Sequence, residues 1–209
     1  MKRLSCFLFG ALLAASSAAA QPPAPGPVGL AQGLQNAYNN LKRNATESAD
    51  KMPDADYGSK PSTMAEVRTF GQLWGHLAQS QFGQCSAAVG VPNPSQGKQL
   101  EQELKTKAEF VKALADSFAI CDKAFAALTD QNATELLNQG RGQIARGALM
   151  ANIIAHGNEM YGVSGVYLRA KNIVPPSTER MGGMRGGAPG GGQRGGGGQR
   201  GGGGRGGQQ

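Results

Sequence analysis

His156 and Met160 lie four residues apart in the run Ile154-Ala155-His156-Gly157-Asn158-Glu159-Met160-Tyr161-Gly162. Residues at that spacing share one face of a helix. Two imidazoles there would make a two-ligand clamp for a divalent metal, but here a thioether holds the second place. The chain has one other histidine, His76. Zinc takes three or four nitrogen, sulfur or oxygen ligands, so two histidines alone make a weak centre. Met160 is a soft ligand, better suited to copper(I) than to zinc or nickel. Glu159 sits about 60° around a helix from His156 and offers a carboxylate as third ligand. The competing reading is a packed histidine among Ile153, Met160, Val163 and Tyr167, with Met160 filling a gap in the core.

Cys85 and Cys121 are the second pair that could do chemistry. The third cysteine, Cys6, falls in residues 1–20, where Lys2 and Arg3 precede an apolar run that ends in Ala18-Ala19-Ala20. That is the layout of a secretory signal cleaved before Gln21. The apolar run is shorter than the roughly 20 residues of a membrane span. No small-residue lipobox precedes Cys6, so no lipid anchor is expected. The expected location is periplasmic or extracellular in a bacterium. An even pair of cysteines in an exported chain favours a disulfide. Closing the loop of about 37 residues between them would contribute about 4 kcal/mol in the chain-entropy model. Two buried free thiols are the alternative.

The formal charge of +7 over 209 residues is unevenly placed. Lys2 and Arg3 belong to the signal, and Arg180, Arg185, Arg194, Arg200 and Arg205 lie near or in a glycine-rich tail. Without these, basic and acidic residues balance between Gln21 and Glu179. The high pI therefore describes the ends and implies no basic groove on the folded part. The tail, residues 178–209, buries too little apolar surface to offset the entropy of ordering, so it is expected to be disordered. Its Arg-Gly-Gly repeats contain no aromatic residue on which a base could stack, so nucleic acid is not an expected partner. Weak contact with anionic envelope surfaces is. The sequence leaves open a homodimer.

Four helical patterns must position these residues. Residues 21–29 form a Pro-rich linker. The first helix spans about 30–52, with Leu34, Ala37, Tyr38, Leu41 and Ala45 on one stripe, and Pro53 stops it. A polar crossover covers 54–68. Thr69-Phe70-Gly71-Gln72 fits a capping box that opens the second helix. Its arc is Phe70, Leu73, Trp74, Leu77, Cys85 and Ala88, and it ends near Gly90. The third helix spans about 98–128 on a stripe from Leu100, Leu104 and Ala108 to Phe118, Cys121, Phe125 and Leu128. The fourth starts near Gln143, after Gly140-Arg141-Gly142, and reaches Lys171. No strand alternation is evident, and Pro175-Pro176 closes the domain. The expected fold is an all-α four-helix bundle over 30–177. Gly157, Gly162 and Gly165 inside the last helix imply either close approach of a neighbouring helix or room for a ligand beside His156.

The segments Arg68-Thr69-Phe70-Gly71-Gln72-Leu73-Trp74-Gly75-His76-Leu77-Ala78 and His156 to Gly162, with Tyr167-Leu168-Arg169 and Ile173-Val174-Pro175-Pro176-Ser177, resemble the DinB-like superfamily of bacterial four-helix bundles. The resemblance implies three histidines around a divalent metal such as zinc or nickel. His76 and His156 match that pattern, and Met160 stands where the third histidine would be. It further implies two functional expectations. One is an exported, non-catalytic bundle with a degenerate His/His/Met site. The other is a metal-dependent hydrolase or thiol-type transferase of the envelope, with Tyr161 and Tyr167 as hydrogen-bond donors. The Met at the third position favours the first.

Overall fold

A computed structural model describes residues 26–140 and 142–186. The expected signal, most of the Pro-rich linker and the tail beyond residue 186 lie outside the described residues. Helix α1 (Leu30–Lys51) buries Tyr38, Leu41, Ala45 and Ala49, the expected stripe continued by one turn. A 3-10 turn at Asp54–Asp56 follows Pro53. The crossover is better anchored than its polarity suggests. Tyr57 is 3% exposed, and its hydroxyl donates to the Ala49 carbonyl at 2.7 Å.

Helix α2 (Phe70–Val89) opens with the expected capping box. The Thr69 amide donates to Gln72 Oε1 at 2.8 Å, and the Gln72 amide donates to Thr69 Oγ1 at 3.2 Å. It ends at Gly90, whose φ of 73° favours glycine. All six residues of the expected arc are buried.

The expected single helix over 98–128 is two helices, α3 (Leu100–Glu103) and α4 (Lys107–Ala126). The break has a local cause. Thr106 and Glu109 form a second capping box, which satisfies the amides of a new first turn. Restarting the helix moves the buried stripe onto Phe110, while Ala108 becomes exposed.

Two strands appear where none was expected. β1 (Leu136–Gln139) and β2 (Gly142–Ala145) pair antiparallel, with Leu136 opposite Ala145 and Leu137 opposite Ile144. Gly140 has φ 57°, a left-handed conformation that a tight turn requires. Leu137 and Ile144 pack on the main core, so this short hairpin is held by side-chain contacts and not by a long alternating pattern. The last long helix consequently starts at Arg146, later than the expected Gln143.

Helix α5 (Arg146–Ala170) ends in a Schellman arrangement. The amides of Asn172 and Ile173 donate to the carbonyls of Arg169 and Leu168 at 3.0 and 2.9 Å, and Asn172 has φ 59°. Helix α6 (Pro176–Gly186) continues through the first nine residues assigned to the disordered tail. Pro176 begins it, because a first-turn position needs no amide donor.

In the assembled bundle α2 packs on α4 and α5, and α1 packs on α4 and α5. Phe70, Trp74, Tyr38, Phe118 and Phe125 fill the centre. Cys85 and Cys121 form a disulfide between α2 and α4, with Cα atoms 5.0 Å apart. Among the described residues no helix is long and apolar enough to cross a membrane.

Candidate functional site

Helices α2 and α5 carry His76 and His156 to one place at the rim of the core. The ring centroids are 5.1 Å apart and the rings are nearly perpendicular, at 77°. The side chains are 31% and 25% exposed. The two imidazoles therefore converge, the condition on which any shared-ion reading rests.

Their immediate partners decide what they can do. Arg68 Nη2 lies 3.2 Å from His76 Nδ1. A guanidinium has only donors, so Nδ1 must accept, and the neutral ring then carries its proton on Nε2. Arg68 Nε donates to Glu101 Oε2 at 2.6 Å, and the same oxygen is 3.5 Å from His76 Nδ1. Burial, and next the charge of Arg68, hold His76 below the usual imidazole range, despite the opposing pull of Glu101 and Glu159. His156 Nδ1 lies 3.4 Å from Glu159 Oε2, its neighbour one helical turn on.

The network is positioned by backbone features. Arg68 immediately precedes the capping box of α2, and its carbonyl accepts the Tyr167 hydroxyl at 2.7 Å. That phenol is held above its ordinary range by burial. Glu101 reaches the site because of the break between α3 and α4, which frees α3 to lie across α2. Gly75 permits the approach, since a Cβ there would stand 2.9 Å from Glu101 Cα. Gln79 fixes the same segment, donating to the Lys98 carbonyl at 3.0 Å and accepting from the Leu100 amide at 2.9 Å.

The other expected site residues are placed differently. Met160 is 5% exposed and belongs to the main hydrophobic core. Glu159 does swing toward His156, as its position on the helix allows, but its side chain is 66% exposed. Tyr161 donates to Ser177 Oγ at 2.6 Å and accepts the Ser177 amide at 3.0 Å, so its hydroxyl ties down the start of α6. Gly157 provides close helix approach and no ligand space. A Cβ there would meet the Leu41 side chain at 2.3 Å. Arg68 and Glu101 were not singled out in the sequence, because neither has a spacing that marks it.

The ring separation suits two imidazoles sharing an ion at about 2.1 Å from each. The donor set does not. The Nδ1 lone pair of His76 is taken by a cation, Met160 is packed in the core, and each carboxylate is already engaged. Among the described residues no three His, Cys, Asp or Glu side chains group to hold a metal ion. As arranged, these residues do not fit zinc or nickel.

The family model described as DinB superfamily matches residues 38–162, and the chain belongs to that superfamily. Among solved structures, the fold is similar to a DinB-like protein from Bacillus cereus, with a TM-score of 0.56 and 13% identity. The match covers 69% of this chain and 94% of that one. No curated protein matches the sequence.

Proposed function

We propose that this is an exported, non-catalytic member of the DinB superfamily, in which Arg68 fills by charge and hydrogen bonding the place a divalent metal would take. The observation that carries this reading is the contact of Arg68 with His76 Nδ1 at 3.2 Å. A guanidinium there neutralises Glu101 and repels a second cation, which are the electrostatic roles of a bound dication. Two clefts flank the Arg68–Glu101 pair, one lined by Ser80 and Gln99, the other by Glu66 and Gln102. They suit a binding or scaffolding role. The disulfide supports a periplasmic or extracellular location, because such bonds persist in oxidising compartments. The Arg-bearing tail would add weak attraction to anionic envelope surfaces, and neither it nor the folded part suggests a nucleic-acid partner.

Metal analysis of the mature, untagged protein tests the proposal. The expected result is zinc and nickel at background, with folding unchanged in chelator. Stoichiometric metal that disappears when His76 and His156 are both changed to Ala would overturn it. The ring separation of 5.1 Å favours a second reading, a weak divalent site of a hydrolase or thiol-type transferase formed when Arg68 moves aside.

A further inference from the structure

Helix α6 is attached to the bundle in a way none of the other helices is. Pro175 and Pro176 at its root are buried, but from Ser177 to Gly183 no side chain is. Met181, its one large apolar side chain in that stretch, is 59% exposed. What joins α6 to α1 is charge. Lys51 Nζ lies 2.5 Å from Glu179 Oε1, and Arg180 binds both Glu47 and Asn44 of α1. Arg43 and Asp50 line a cleft together with Glu47, Lys51, Glu179 and Arg180. The root is fixed by different means. Tyr161 bonds Ser177, and Arg169 Nη2 donates to Thr178 Oγ1 at 3.2 Å.

A helix that buries apolar surface only at its first residue sits at the low end of local stability. Exposed ion pairs each contribute little and are screened by salt. We propose that α6 is an electrostatic strap, docked on α1 by Glu179 and Arg180 and released by ionic strength, with Pro175-Pro176 as its fixed root. Release frees Asn44, Glu47 and Lys51 of α1 from their α6 partners, beside Arg43 and Asp50, which are exposed already. The long helices, which bury aromatic and aliphatic stripes, stay packed.

Amide hydrogen exchange of the full mature protein, read over peptides covering residues 177–186, tests this. Between about 20 mM and about 500 mM sodium chloride, a range over which the Debye length falls several-fold, exchange in α6 should quicken on the order of fivefold. Peptides from α2 and α4 should not change. Arg180→Ala should give the fast rate already at low salt. Pairing Glu47→Arg with Arg180→Glu should restore the slow, salt-sensitive rate. Protection of α6 that ignores both salt and Arg180→Ala would overturn the strap. So would exchange at the rate of a free peptide in low salt.

Discussion

Arg68 donates to His76 Nδ1 at 3.2 Å while its Nε holds Glu101 at 2.6 Å. One guanidinium thus takes the lone pair of an expected metal ligand and neutralises the carboxylate beside it. Arg68→Ala should expose both. The expected outcome is a gain in zinc affinity on the order of tenfold, within the range by which outer partners tune metal sites. Calorimetric zinc titration of the untagged wild type and variant measures it. Equal affinity in the two would show that Arg68 does not guard the ring.

The depressed His76 gives a pH dependence of definite sign. Its folded value lies below the ordinary value of about 6.5, so between the two the unfolded chain binds more protons. Stability then rises with pH across that window. It is complete above the ordinary value and declines as pH falls, until the folded ring itself protonates. Urea unfolding at pH 7.5 and 5.0 should show a larger acid loss in the wild type than in His76→Gln. An identical loss would place the titrating group elsewhere.

Two glycines of α5 should respond oppositely to alanine. At Gly157 a Cβ would meet Leu41 at 2.3 Å, while at Gly162 nothing lies within 4 Å. Gly157→Ala should destabilise by about 1–3 kcal/mol, the usual cost of overpacking. Gly162→Ala should stabilise by about 0.5–1 kcal/mol, through helix propensity and reduced unfolded-state entropy. Chemical denaturation of both variants makes the comparison, and equal effects would contradict the close approach of α1 to α5.

Removing the Cys85–Cys121 bridge frees a loop of sequence separation 36 in the unfolded chain. Changing both cysteines to Ala should lower unfolding free energy by about 4 kcal/mol in the entropic treatment. Denaturation of the oxidised wild type against the double variant reads it directly. A loss near zero would mean the bond is absent from the purified protein or offset by strain.

The long helices and their inward stripes are legible in the order of residues alone. Apolar periodicity reports which face leaves water, and Thr69 with Gln72 reports where a helix starts, both from neighbours along the chain. The same local information placed His76 and His156 on separate helices and offered Cys85 and Cys121 as a pair. It lost the second capping box at Thr106 inside a longer apolar stripe. It also lost the hairpin at 136–145, whose strands are too short to show a period, and helix α6, which has no buried stripe to show. The character of the site comes from contacts between elements distant in the chain. Glu101 arrives there because α3 breaks from α4 and Gly75 lets its backbone approach, and Arg68 arrives because Tyr167, nearly a hundred residues away, holds its carbonyl. Such contacts depend on how helices cross, which no spacing within one helix encodes.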